Sequence, residues 1–332
     1  MAVHNVNSPQ MYFSEKTIDD LLRAAFRKLL KSKSKLKATR GLMTELTGVL
    51  LELTNPRARL SRTETKGRFF SCLGELLWYL ATADDLTFIR YYLSHYAEES
   101  DDGQTVYGAY GPRLFSMKGN DQIANVVKLL RERPTSRRAV IQLFDAADIA
   151  EHHKGIPCTC TLQLMIRGNR LIMFTNMRSN DVFIGLPYDV FAFTMLQEIV
   201  ARTLAVEVGT YKHAVGSLHL YEKDRKAAQQ YLDEGWQETV SMPPMPLGDP
   251  WPPLQTLLKA ESEIRQGEIS DVAGLKLDNY WADLVRLLQI FRYRKDKNTG
   301  EITKLRKNLS SQIYDTYVRG KLSAKKKWSR RE

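Results

Sequence analysis

Between residues 139 and 221 the hydrophobic pattern changes period, and that change restricts the fold more than any other feature of this chain. Residues 139–144 are apolar and partly β-branched, which predicts a strand. Residues 161–167 and 170–176 flank Gly168-Asn169, a pair suited to the left-handed backbone of a tight hairpin turn. Helical spacing returns over 188–204, and 206–221 is extended again. Strands interleaved with an apolar helix require a sheet with helices laid against it, so the expected class is α+β.

The flanks are helical. Ile18, Leu21, Leu22, Ala25, Phe26, Leu29 and Leu30 follow the spacing of one helix face, and Thr17 with Asp20 resembles a cap, so a helix is expected over 17–30. Residues 31–41 are polar and basic and read as a loop. Further helices are expected over 68–80, 86–96 and 122–131. In the first of these, Glu75 lies among Phe69, Leu73, Leu76, Leu77 and Leu80. Pro243, Pro244, Pro246, Pro250, Pro252 and Pro253 mark an irregular connection before two helices near 254–265 and 277–291.

Composition removes several classes. In 332 residues no run of eighteen apolar residues occurs, so no membrane span is expected. The first ten residues lack the basic-then-apolar order of a signal peptide, and the cytoplasm is the expected location. Three cysteines do not make a disulfide framework. The net charge of +11 is unevenly placed: residues 292–332 hold fourteen Lys or Arg against four Asp or Glu. A basic tail can bind nucleic acid, but a solvated, partly helical appendage is the expected state, and no nucleic-acid partner is expected.

Three groups of residues could carry chemistry. Cys158, in Ile156-Pro157-Cys158-Thr159-Cys160, precedes a predicted strand. It suits either a nucleophile with a stabilised thiolate or a small buried apolar residue. The Cys-x-Cys spacing lacks the second ligand pair of a zinc site, so no metal is expected. Arg40, Arg137, Arg138 and Arg178 stand at predicted element ends, where guanidinium forks can meet phosphate or simply face solvent. The run from Arg178 to Asp189 joins a strand to a helix. It offers polar groups to an anionic or heterocyclic ligand, or a helix cap at Asp189.

Together these segments resemble the thymidylate synthase family. Glu75-Leu76-Leu77-Trp78 resembles its Glu-Leu-Leu-Trp helix, Val106-Tyr107-Gly108 its Val-Tyr-Gly turn, and Ser136-Arg137-Arg138 its Ser-Arg-Arg. Pro157-Cys158 with Gln163 resembles its active-site strand. Arg178-Ser179-x-Asp181 with Gly185-x-Pro187 resembles its nucleotide and folate loop, and His219-x-Tyr221 its His-x-Tyr strand. Six motifs in family order span residues 40–222, about half of the chain.

The resemblance implies a mixed β-sheet packed with helices, one sheet face forming a homodimer interface. It implies 5,10-methylenetetrahydrofolate as cofactor and a pyrimidine nucleoside monophosphate as substrate. Cys158 would add to C6 of the base, making C5 nucleophilic. Glu75 would organise water and protons, and Tyr107 would help remove the C5 proton. Arg178 and Ser179 would hold the phosphate, with Arg178 also lowering the thiol pKa. Arg40 would join them, and Arg137 and Arg138 would reach the partner's phosphate across the dimer. Gln163 belongs to the substrate-binding set, His219 and Tyr221 would bind the sugar hydroxyl, and Trp78, Asp181 and Gly185 would face the folate.

Departures from the family narrow the substrate. The synthases end the loop Gly-x-Pro-Phe-Asn, whose amide reads uracil, whereas this chain reads Gly185-Leu186-Pro187-Tyr188-Asp189. A carboxyl accepts from the N4 amine of cytosine and shares a proton with N3. Asp189 is the residue of deoxycytidylate hydroxymethylases, and CMP hydroxymethylases are similar. Thr159 replaces the usual histidine after the cysteine, and the proline-rich, helical C-terminal third does not resemble the synthase ending. An altered folate lid could admit water, which would finish the transfer as a hydroxymethyl group.

The expectation is thus a homodimer that converts CMP or dCMP to the 5-hydroxymethyl nucleotide. Residues 1–240 would form the catalytic domain, 241–291 a helical extension and 292–332 a basic tail. Two alternatives stand beside it. One is a thymidylate synthase or related C5-methylase. The other is an inactive relative that binds RNA through the tail.

Overall fold

The computed structural model describes residues 11–63, 68–268 and 271–319. In chain order the elements are β1 (Tyr12–Glu15), α1 (Ile18–Lys31), β2 (Leu36–Ala38), β3 (Gly41–Leu53), α2 (Phe69–Leu80) and α3 (Leu86–Tyr92). Then come α4 (Tyr110–Phe115), α5 (Gln122–Glu132), β4 (Val140–Gln142), β5 (Thr159–Arg167), β6 (Arg170–Asp181) and α6 (Gly185–Thr203). The chain continues with β7 (Glu207–Tyr221), α7 (Arg225–Asp233), α8 (Trp251–Gln266), α9 (Asn279–Lys295) and α10 (Thr299–Lys307). Among these, no helix is long and apolar enough to cross a membrane.

The strands form one seven-stranded mixed sheet in the order β1-β3-β7-β6-β5-β4, with β2 paired to β3. The pairs β1/β3 and β6/β7 are parallel and the rest antiparallel. With helices on it, this is the α+β fold expected. The β5/β6 hairpin turns at Gly168 and Asn169, whose φ values of 54° and 59° are the left-handed pair such a turn needs. Thr17 caps α1, its hydroxyl accepting from Asp20 N at 3.0 Å.

Among the described residues, helices cover one face of the sheet. Leu162, Leu164, Leu171, Met173, Tyr211, Val215 and Leu218 are buried on that side, where α6, α5 and α1 pack on the strands and α2 packs on α6. On the other face a row runs across the register through Val140, Gln163, Phe174, Lys212, Glu52 and Ser14. Lys212 and Glu52 pair there at 3.4 Å, while Val140 stays exposed.

No periodicity in the sequence marks β3, for a local reason. Gly48 adopts φ 66°, and the buried positions change parity there, from Thr44 and Leu46 to Val49, Leu51 and Leu53. A strand with a parity switch shows no clean period of two. The helix expected over 86–96 ends at Tyr92 and continues as a tighter 3-10 turn, Ser94–Glu98.

The solvated appendage expected after residue 291 is corrected over its described part. Ile302, Leu309, Ile313, Tyr314, Tyr317 and Val318 are buried and belong to the same core cluster as Ile18 and Phe191. Tyr314 packs on Phe69 with ring centroids 5.3 Å apart. Basic residues interleave with these apolar ones, so net charge hides a buried stripe. The remainder of that basic stretch, 320–332, lies outside the described residues.

Candidate active site

Cys158 stands at the entrance of β5, and a bulge decides which way it faces. From Thr159 to Thr161, β5 advances two residues while β6 advances one, from Met177 to Asn176. In a regular strand Cys158 and Gln163, five apart, would face opposite ways. The extra residue puts them on one side, with Phe174 and Arg178 of the neighbouring strand.

Arg178 Nη2 lies 3.6 Å from Cys158 Sγ. The same guanidinium donates Nε to Pro157 O at 2.9 Å and Nη2 to Ile156 O at 3.3 Å, which fixes the fork against the segment it serves. Burial pushes the Cys158 thiol up. Arg178 and Arg40 pull it down, while Asp189 and Glu99 push it further up. The expected lowering by Arg178 is therefore present, but burial sets the net direction.

Arg40, in the turn between β2 and β3, comes to the same place. It is ion-paired with Glu99 and within electrostatic range of Cys158 and Tyr221. Parallel pairing of β6 with β7 sets Ser179 beside Ser217 and Asp181 beside His219. Ser179 Oγ is consequently 3.4 Å from His219 Nδ1, and Tyr221 meets the His219 ring edge-on at 5.1 Å. Two arginines, a hydroxyl, an imidazole and a phenol thus gather near the thiol, which suits a phosphorylated sugar.

The inner end of the site is acidic and buried. Glu75, on α2, is 6% exposed and accepts a hydrogen bond from the Tyr96 hydroxyl, with Tyr79 also favouring its ionised form. Burial raises its carboxyl pKa. Asp189 Oδ2 accepts from Asn180 Nδ2 at 2.6 Å. Burial first, then repulsion from Glu75, holds the Asp189 carboxyl well above the ordinary range, against the Asn180 hydrogen bond. Asp189 does not cap the helix: α6 begins at Gly185, its flanking Ile184 makes no side-chain cap, and Asp189 lies beyond the first turn. Thr159 donates its N–H at 3.1 Å and its hydroxyl at 3.0 Å to the buried Tyr110 hydroxyl.

Other expected site residues are placed elsewhere. Arg137 and Arg138 are exposed on the approach to β4, where Gln163 Nε2 donates to Arg137 O at 2.9 Å. Tyr107 stacks on His153 at 3.6 Å between centroids, with the Arg113 guanidinium 5.2 Å from its ring and Asp148 within electrostatic range. Trp78 is 1% exposed, packed on Tyr96 and Tyr79, and lies in the core rather than on the pocket wall. Reading the sequence missed Asn180, Tyr96, Tyr110 and Glu99. Asn180 sits inside a recognised motif and could have been found there, whereas the other three carry no local signal.

A reduced pterin offers ring N–H donors, and the end of β6 provides an acceptor. Asp181 Oδ1 accepts from Phe183 N at 2.8 Å and Ile184 N at 3.4 Å, leaving the second oxygen for a ligand. Gly185 lies beside it in sequence with no side chain to obstruct, 3.5 Å separating its would-be Cβ from both Asn180 Nδ2 and Asp189 Oδ2.

Comparison with known proteins identifies the family. The family model described as thymidylate synthase matches residues 38–261, more than half of the chain. A curated relative, deoxyuridylate hydroxymethyltransferase of Pseudomonas phage M6, is 35% identical over 158 residues. That match covers 46% of this chain and 45% of the relative, so the chain spans about half of the relative's length.

Proposed function

The chain belongs to the thymidylate synthase family, and from that premise we propose that it hydroxymethylates C5 of a cytosine nucleotide, CMP or dCMP. The observation that carries the reading is Asp189. A buried carboxyl, bonded to Asn180 and within electrostatic range of Glu75, occupies the motif position at which the synthases carry an asparagine, and this supports a base-reading role. Held neutral, it accepts from the cytosine N4 amine through one oxygen and donates to N3 through the other. Donation to N3 also makes the ring a better acceptor for a thiolate.

The roles follow from position. Arg178 and Arg40 bind the phosphate, with Ser179 beside them, and that same charge favours the Cys158 thiolate. Cys158 adds to C6, which breaks the C5–C6 double bond and leaves electron density at C5. Bound 5,10-methylenetetrahydrofolate would supply a one-carbon unit to C5. The C5 proton would pass to water, and with tetrahydrofolate as leaving group an exocyclic methylene would form on the base. Water would add to that methylene and expulsion of the Cys158 thiolate would restore the C5–C6 double bond. Asp181 and Gly185 hold the pterin end, His219 and Tyr221 the sugar hydroxyl, and Glu75 with Tyr96 and Tyr79 orders the water that completes the hydroxymethyl group. The uncovered sheet face, with exposed Val140 and half-buried Phe174, fits a second copy of the chain. That copy would bring Arg137 and Arg138 to its partner's phosphate.

A second reading is a uracil nucleotide, favoured by the name of the phage relative. A neutral carboxyl offers one donor and one acceptor, as an amide does, so it can also pair with O4 and N3–H of uracil. The test is a product assay by mass spectrometry with 5,10-methylenetetrahydrofolate and each of CMP, dCMP, UMP and dUMP. A hydroxymethyl product on cytosine without dihydrofolate formation is expected. A hydroxymethyl product on uracil alone replaces the base assignment, and a methyl product overturns the reaction type.

A further inference from the structure

A neutral carboxyl can read either base because its proton can sit on either oxygen. Cytosine presents a donor at position 4 and an acceptor at N3, and uracil presents the reverse. One sense of the carboxyl, acceptor on one oxygen and donor on the other, pairs with one base and opposes the other at both points. A carboxyl free to exchange its sense cannot discriminate. Selectivity at Asp189 therefore requires a neighbour that fixes where the proton sits.

Asn180 is that neighbour. Its amide is 3% exposed, and its nitrogen faces two acceptors, Asp189 Oδ2 at 2.6 Å and the Met177 thioether at 3.2 Å. With both acceptors on one side, the amide is oriented nitrogen-first. Its buried oxygen has no hydrogen-bond partner among the described residues. A hydrogen bond of this kind keeps Oδ2 an acceptor and disfavours a proton there. Within electrostatic range of the carboxyl are Glu75 and Tyr79 from α2, Tyr96 from the 3-10 turn after α3, Tyr110 from α4, Tyr211 from β7, and Cys158. None of these is hydrogen-bonded to Asp189, and among the described residues only Asn180 fixes its sense.

We infer that Asn180 is the positioning residue that sets base selectivity, by reserving Asp189 Oδ2 as acceptor and leaving Oδ1 as the donor toward the pyrimidine. The inference rests on the reading that Asp189 faces the base, but not on which base is preferred. Asn180 makes no claim on the thiol or the phosphate, so its effect appears in the comparison between bases.

The experiment measures kcat/KM for cytosine and uracil nucleotides across pH, with the full-length enzyme and its Asn180→Leu and Asn180→Ala variants. Leucine keeps the volume without the donor, and alanine serves should leucine prevent folding. The ratio between the bases is expected to fall by about tenfold or more toward unity. The alkaline limb of the profile should move to higher pH, because the lost N–H favoured the ionised carboxylate. If both bases lose the same factor with an unchanged profile, Asn180 is only structural support and the inference fails. It fails also if the parent enzyme shows no preference. If the parent prefers uracil, the cytosine reading falls, while collapse of the ratio in the variants still supports Asn180.

Discussion

Arg178 Nη2 stands 3.6 Å from Cys158 Sγ while its Nε holds the carbonyl of Pro157 at 2.9 Å. One guanidinium thus both faces the thiol and ties down the segment that delivers it. Cys158→Ser should lower turnover by at least about 10³-fold without altering the melting temperature, as expected for a lost nucleophile. Appreciable residual activity would sink the covalent route.

Arg178 opposes the burial that raises the Cys158 thiol. Arg178→Gln removes a charge that favours thiolate, so the thiol pKa rises further and the limb along which kcat/KM climbs with pH moves alkaline. Titrating the thiol with iodoacetamide against pH reads the same shift without substrate. An unmoved alkylation profile would show that the two groups are not coupled.

Asp189→Asn should move preference from cytosine toward uracil nucleotides, since an amide offers its donor and acceptor in fixed places. The same change has a stability signature. A carboxyl whose pKa is raised in the fold holds more protons there than in the unfolded chain, so it costs stability as pH rises above the ordinary carboxylate range. Asp189→Asn should accordingly raise the melting temperature at about pH 8 relative to the parent, with the gain vanishing at about pH 4. A gain independent of pH would place its origin in packing.

Arg137 and Arg138 lie exposed before β4, and among the described residues no hydrogen bond or ion pair joins them to Cys158. Arg137→Ala should raise KM about tenfold, the scale of a lost phosphate contact. Mixed dimers of an Arg137→Ala chain with a Cys158→Ser chain separate the two arrangements. In such a dimer only the Arg137→Ala chain keeps its cysteine. If the arginine acts across the interface, that cysteine is served by the intact Arg137 of the other chain, and the site keeps the parental KM. A raised KM in the mixed dimer would return Arg137 to its own subunit.

Tyr314, 1% exposed and packed on Phe69, ties the basic C-terminal segment into the core. Tyr314→Ala should cost about 3–5 kcal/mol, the scale of a deleted buried aromatic. Urea unfolding measures it, and a loss below about 1 kcal/mol would return the segment to the status of an appendage.

Much of the candidate site was legible because its motifs are contiguous. Pro157-Cys158, Arg178-Ser179 and His219-x-Tyr221 each sit at a strand end, and strand ends are where a sheet gathers side chains. Tyr107 and Trp78 show the limit of that reading. Each lies in a matching motif, yet Tyr107 stacks on His153 and Trp78 is sealed in the core. A motif fixes the position of a residue along the chain but not which neighbour claims its side chain.

By itself the sequence determined the α+β class, the hairpin at Gly168-Asn169, the helices with one apolar face and the residue types gathered around Cys158. Those depend on periods and turns set within a few residues. The tertiary structure alone decided that β3 lies between β1 and β7, that a bulge turns Cys158 toward Arg178, and that Asn180 donates to Asp189. It also decided that the basic segment around Tyr314 is buried. Each of these joins residues through register or packing, and both are settled by which surfaces exclude water together once the whole chain has collapsed.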